Sequence, residues 1–326
     1  MAKLTRTLAH ELLGALDQIW EECFKDQPRP PYPYAEWERQ RQRVKQRLAR
    51  LPVYVERAAA AVRVVKDPRG QHTAVPVVKR VLLLLFKRLT GRSNRGMEDL
   101  LVPFAPLFGF QRSYKFVERQ YHDIEVRLVL HNLFLLLVRE EGASGHVAGD
   151  GTGYAVMMGQ HYRTDPKKHG KKYVHVFFFI DLGTNLYVGY GYSPHSEMDA
   201  FHRARAVMRE LDVPLESMRL DRYYSSRKVI RLFGQEASLY LIPKKNIATF
   251  GAQWPPIFQQ IMLDPVAFLS QYFLRNLSET ANAGDKRRFG ERISQVLDEH
   301  RETETQCIGV LHNLFATRLK PQSSNS

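Results

Sequence analysis

The chain is short of cysteine, of long apolar runs and of negative charge. Two cysteines, Cys23 and Cys307, stand far apart in 326 residues. That excludes a disulfide framework and a cysteine zinc site, agrees with a reducing cytosol, and leaves oxygen or histidine to bind any metal. The longest apolar run, Val81 to Phe86, falls far below the roughly 20 residues needed to span a bilayer. The N-terminal stretch breaks its apolar run at His10 and Glu11 and lacks a small-residue cleavage site, so no signal peptide is expected. No internal repeat is seen, and the polar tail, residues 319–326, is expected to be disordered. The expectation is a soluble intracellular protein.

Asp and Glu number 34 against 48 Lys and Arg, a net charge of +14, which favours a polyanionic partner because each neutralised phosphate releases counterions. Charge alone leaves DNA, RNA and an anionic membrane surface open. With 44% hydrophobic residues the chain has material for one large folded domain and a smaller accessory one.

Leu4, Leu8, Leu12, Leu16, Ile19 and Trp20 recur at helical spacing before Asp26-Gln-Pro-Arg-Pro-Pro-Tyr-Pro breaks the helix. Helical composition resumes from Ala35 to about Val65 and again from Ala74 to Arg139. Within the latter, Leu89 to Leu101 and Phe110 to Arg119 suit either a helix-turn-helix or an ordinary helical bundle. After Gly142 the pattern changes. Gly145 to Asp150, Lys172 to Ile180 and Leu186 to Tyr192 read as three antiparallel strands. A helix opened by the capping box Ser196-Glu-Met-Asp199 follows, then a strand at Ser217 to Leu220, a helix at Ser226 to Phe233, a strand at Ser238 to Ile242, and one long helix after Tyr272. This order is that of an α/β, ribonuclease-H-like domain with a mixed five-stranded sheet. It divides the chain into an all-helical region, residues 1–142, and a catalytic domain, residues 143–318, with a short insertion at 243–271.

Phosphoryl transfer to DNA calls for two divalent cations about 4 Å apart, and hard cations such as Mg²⁺ take carboxylates. Asp150 ends the first strand and Asp221 the fourth, so in this topology the two converge at one end of the sheet. Each is also explained as a loop or helix-entry aspartate. Tyr272, Arg275, Glu279 and Lys286 fall within roughly 60° of one another on an ideal helix, one stripe with Leu274, Leu277 and Ala281 on the opposite face to pack on the sheet. The plainer alternative is a solvated face with an Arg275–Glu279 ion pair.

The spacing Tyr-x2-Arg-x3-Glu-x6-Lys resembles the signature of the cut-and-paste Asp-Asp-Glu transposases of bacterial insertion sequences. Leu220-Asp-Arg-Tyr-Tyr-Ser-Ser resembles the motif around that family's second aspartate, and Lys286-Arg-Arg-Phe-Gly290 with Leu311-His-Asn-Leu-Phe315 its C-terminal end. The resemblance covers residues 145–316. It implies that Asp150, Asp221 and Glu279 hold two Mg²⁺ or Mn²⁺ ions, and that Tyr272, Arg275 and Lys286 contact the backbone of the transposon end. It also implies duplex DNA partners (terminal inverted repeats and target), water attack at the element's end followed by attack of the freed 3′-hydroxyl on target DNA, a homodimer in the DNA complex, and a cytoplasmic, nucleoid-associated place in a bacterium or archaeon. A silent DNA-binding regulator and a stand-alone nuclease are the alternatives.

One departure concerns the insertion, which is long and β-rich in relatives and short here; Trp254 either stacks on an extruded base or packs the insertion onto the domain. Arg222 and the loop cations Lys167, Lys168, Lys171 and Lys172 are further candidates for DNA contact. Asp181, Glu197 and Asp199 are read as a turn and a helix cap, and His161, His169, His175 and His195 lack metal spacing.

Overall fold

The computed structural model describes residues 5–25, 33–65, 74–156, 173–233, 237–245 and 250–317. The lysine loop with Lys167, Lys168, Lys171 and Lys172, the histidines His161 and His169, and the tail 319–326 lie outside them. The sheet is built from β1 (His146–Val156), β2 (Tyr173–Asp181), β3 (Tyr187–Ser193), β4 (Ser217–Leu220), β5 (Ser238–Tyr240) and the short β6 (Arg292–Ile293). Its order is β3-β2-β1-β4-β5, with β6 pairing the far end of β1. The first three strands are mutually antiparallel, whereas β4 lies parallel to β1 and β5 parallel to β4. The expected strands are thus all present, and β6 makes a sixth.

Two helical layers cover this sheet. On one side lies α9 (Glu197–Glu210), which approaches β3 closely because Gly189 and Gly191 present bare backbone: a Cβ on Gly191 would stand 1.9 Å from the Ala200 carbonyl oxygen. Phe177, Phe179, Phe201, Tyr224 and Phe233 fill that interface, mostly edge to face, with Phe201 and Tyr224 tilted against each other. On the other side lie α8 (Ile124–Glu141) and α14 (Asp298–Phe315). A register shift in the β2–β3 pairing between Phe179 and Ile180 turns Tyr187 toward this second side, where its ring stacks between Phe178 and His312.

The N-terminal helices are α1 (Arg6–Cys23), α2 (Tyr34–Ala49), α3 (Leu51–Ala60), α4 (Val77–Thr90), α5 (Asn94–Leu101), α6 (Ala105–Phe108) and α7 (Tyr114–Arg119). Leucines and valines of α1, α3, α4 and α8 join the sheet in one continuous core. Secondary structure therefore changes at residue 142 without a break in packing. Met97, Leu101, Phe108 and Val117 of α5 to α7 form a satellite cluster on Leu83 of α4, so the stretch that suited a helix-turn-helix is a small three-helix cap. No helix among the described residues is long and apolar enough to cross a membrane.

Beyond α10 (Arg227–Phe233), the insertion is helical, made of α11 (Trp254–Leu263) and most of α12 (Pro265–Phe273). The expected single long helix is two. Helix α12 ends at Phe273 and α13 spans Asn276–Phe289, because the N–H groups of Leu274, Arg275, Leu277 and Ser278 all bond three residues back, tightening the chain to 3₁₀ pitch for a turn.

Candidate active site

Asp150 lies within β1 and Asp221 directly after β4, and the pairing of Gly149 with Leu220 sets them side by side on adjacent parallel strands. Asp221 is fixed locally as the cap of the tight turn Arg222–Tyr224, accepting from the Tyr223 N–H at 3.2 Å. Glu279 projects from the first turn of α13 and is exposed. Arg275, at the head of that helix, connects the two outer carboxylates: one guanidinium nitrogen is 2.6 Å from Glu279 Oε1 and 3.5 Å from Asp221 Oδ1. Its guanidinium carbon sits 5.1 Å from the centre of the Tyr272 ring. The three acids come from elements far apart in sequence, yet they gather at the β1–β4 seam in the middle of the sheet.

Asp150 is the least solvated of the three. Burial pushes its carboxyl up to about 6, the charge of Glu279 adds to the rise, a hydrogen bond from Asn282 opposes it, and Glu197 raises it further. Asn282 Nδ2 donates to Asp150 Oδ2 at 3.2 Å. Glu197 is a member of this group that the capping-box pattern conceals. Its carboxyl carbon would lie 2.3 Å from a Cβ on Gly151, so the carboxylate packs on bare backbone beside Asp150, and the Tyr224 hydroxyl donates to it. Asp181 and Asp199 do serve local structure: Asp181 accepts from Ser144, Gly145, Gly183 and Thr184, and the Asp199 N–H bonds to the capping Ser196.

The expected stripe is broken by the tight turn. Tyr272 sits on α12 and is 3% exposed, so it supports Arg275 rather than meeting solvent. Lys286 reaches back over the Tyr154 ring and donates to the Gly153 carbonyl at 2.9 Å. Leu274, Leu277 and Ala281 are only partly buried against the core. The fully buried face of α13 is instead Ser278, Asn282, Asp285 and Phe289, a mostly polar surface that hydrophobic patterning does not reveal. Trp254 is wholly buried against Phe250 and Phe258. Of its two readings the packing one describes this structure, and no face of the indole is open to a base.

Among the described residues, no three His, Cys, Asp or Glu side chains stand close enough to hold one metal ion as they are; the Arg275 guanidinium lies between Asp221 and Glu279. On the solvent side, α1 borders a cleft of about 210 Å³ lined by Asp17, Trp20, Asp221, Arg222 and Arg275. There Asp17 pairs with Arg222 at 3.4 Å and Lys245 at 2.9 Å.

The chain is 48% identical over 317 residues to the probable transposase for insertion sequence element ISA1214 of Archaeoglobus fulgidus, in a match that takes in 97% of this chain and 98% of that protein. The chain belongs to the insertion-sequence transposases. No family model and no solved structure matches it. In this transposase the acids, Arg275 and Lys286 converge from β1, β4 and α13, with α1 bordering the cleft beside Asp221.

Proposed function

We propose that this transposase cuts DNA at the ends of its insertion element and joins the freed 3′-hydroxyl to target DNA, using Asp150, Asp221 and Glu279 as an Asp-Asp-Glu carboxylate set on a ribonuclease-H-like sheet. The observation that carries the reading is the placement of Asp150 and Asp221 on neighbouring parallel strands, with Glu279 tied to Asp221 through Arg275. The sheet order and the antiparallel-then-parallel pairing support the fold.

The donor set suits a hard divalent cation: it is all carboxylate, and Asp150 is raised by burial first and by the charge of Glu279 second, both of which a bound cation would offset. Mg²⁺ or Mn²⁺ ions held by Asp150, Asp221 and Glu279 would supply Lewis-acid activation of the attacking oxygen and stabilisation of the leaving one. The chain's own cations do the rest. Arg275 and Lys286 flank the carboxylates and offer N–H groups to phosphate oxygens, with Tyr272 holding the Arg275 plane. Arg222 stands beside Asp221 and adds a further phosphate contact. The helical region 1–142 serves transposon-end binding, the DNA complex is a homodimer, and the protein works in the cytoplasm.

The test is Mg²⁺-dependent nicking of duplex carrying the element's ends. Asp150→Ala, Asp221→Ala and Glu279→Gln each abolish cleavage, while DNA binding in EDTA persists. Normal cutting by Glu279→Gln removes it from the set. A DNA-binding regulator that no longer cuts is the second reading, favoured by the Arg275 bridge between Asp221 and Glu279; tight binding without cleavage under Mg²⁺ or Mn²⁺ decides for it.

A further inference from the structure

Helix α13 carries Glu279 on its exposed face and buries Ser278, Asn282 and Asp285. A helix normally turns its apolar residues to the core, since buried polar groups cost several kcal/mol unless paired. Here they are paired, in a chain that starts at Asp150. Asn282 donates to Asp150 through Nδ2 at 3.2 Å, and its Oδ1 faces the Tyr187 hydroxyl at 3.3 Å. That hydroxyl shares its one proton between Asn282 Oδ1 and, more closely, Asp285 Oδ2 at 2.8 Å. Asp285 in turn faces His312 Nδ1, 3.0 Å from both carboxylate oxygens, and His312 Nε2 is 2.8 Å from the Asn185 carbonyl. The Asn185 oxygen can only accept, so Nε2 is the donor there. Tyr187 is further fixed by stacking, 4.2 Å from Phe178 and 3.6 Å from His312 between ring centres.

Phe178 is the cross-strand partner of Asp150, so the ring that stacks on Tyr187 lies on β2 directly beside the aspartate. Asn282 lies three residues after Glu279, about one helical turn. Its amide therefore ties the helix bearing one carboxylate to the strand bearing another. A purely apolar face on α13 would hold the helix on the sheet without setting its rotation. A directional bond to Asp150 sets both rotation and distance.

We propose that Asn282 is a positioning residue for the carboxylate set, that Tyr187 and the Asp285–His312 pair hold its amide in the orientation that donates to Asp150, and that this relay fixes the spacing of Asp150 and Glu279 for divalent-cation binding. The inference rests on the Asp-Asp-Glu reading. Groups that orient metal ligands from behind typically change metal affinity or activity 10–100-fold on mutation.

The experiment is Mn²⁺ binding to the full chain, followed by electron paramagnetic resonance, alongside thermal denaturation in EDTA and the Mn²⁺ concentration for half-maximal cleavage. Asn282→Ala is expected to weaken Mn²⁺ binding by about 10-fold or more and to regain cleavage at raised Mn²⁺. Tyr187→Phe, which keeps the stacked ring and deletes only the hydroxyl, shifts both midpoints the same way by a smaller factor that still exceeds twofold. Because Tyr187→Phe is nearly isosteric, it reports even where Asn282→Ala unfolds. A fall in thermal stability with Mn²⁺ midpoints within twofold of the parent in both variants overturns the proposal. Asp150→Ala and Glu279→Gln serve as controls. If they lose Mn²⁺ binding while Asn282→Ala and Tyr187→Phe keep it, the positioning role fails alone; if they also bind normally, the carboxylate reading fails with it.

Discussion

The two sides of the sheet are packed by different physics. The α9 side is dry and aromatic, with Phe177, Phe179, Phe201 and Phe233 in edge-to-face contact and Tyr224 among them. The α14 side buries ionisable and amide groups along the helix, including Glu304 against Arg88 at 2.6 Å and Asn313, which both accepts from and donates to the backbone of Tyr187. Apolar packing is non-directional and tolerates small shifts, whereas a buried hydrogen bond fixes an angle and a register. The structure therefore places non-directional burial along most of α9, whose first turn alone reaches the candidate site through Glu197 and its bond from Tyr224, and directional bonds where α13 and α14 must hold the candidate site in register.

The sharpest way to break that comparison is to empty the dry side. Phe201→Ala removes a fully buried ring and is expected to cost about 3–5 kcal/mol of unfolding free energy. Urea denaturation measures it, and the fraction that stays folded should cleave at the parent rate. If cleavage per folded molecule falls as steeply as it does for Asn282→Ala, the two sides are not functionally distinct.

A smaller effect of opposite sign is expected at Asp150. Its folded-state carboxyl is raised from 3.8 to about 6 by burial first and Glu279 second. Ionising it is thus harder in the folded protein than in the unfolded one, so metal-free stability declines as pH rises from about 4 to about 6 and stays level above. Asp150→Asn removes that decline while still accepting from Asn282. In EDTA it should match the parent near pH 4 and exceed it by about 2 kcal/mol at pH 8. Equal stability of the two proteins at pH 8 would mean that the site carries no stored electrostatic cost.

The same contrast explains which features are legible in the amino-acid sequence. The strands of the sheet are legible because β-branched and aromatic runs with turn residues between them record local preference, and the Ser196 cap is legible because its bonds are local. Asp150 and Asp221 come together as the topology requires. The break between Phe273 and Asn276 is not legible, since nothing in the composition of Leu274 and Arg275 marks a turn three residues tight. Nor is the buried face of α13: patterning selects Leu274, Leu277 and Ala281, while the partners that make Asn282 and Asp285 buriable lie on β1, β3 and α14. Glu197 reads as part of a cap for the same reason, because only the bare backbone of Gly151 across the sheet shows where its carboxylate goes.

The smallest effect concerns the outer edge of the site, where α1 meets it. Asp17 is held below the usual carboxylate range by its hydrogen bond from Lys245 first, opposed by slight burial and helped by Arg222, so at neutral pH it is charged and occupies two cations at the rim of the candidate active site. Both pairs are solvent-exposed, and such pairs contribute about 0–1 kcal/mol. Asp17→Asn should therefore lower stability by no more than that. If Arg222 meets DNA, the same change frees it for phosphate and tightens duplex binding in EDTA by a factor of up to about 5, the upper end of that energy range, with a steeper loss of affinity as salt rises. Fluorescence anisotropy at several salt concentrations separates the outcomes. Weaker stability with unchanged affinity and salt slope would make Asp17 a clamp for α1 alone, and would remove Arg222 from the DNA-contacting residues.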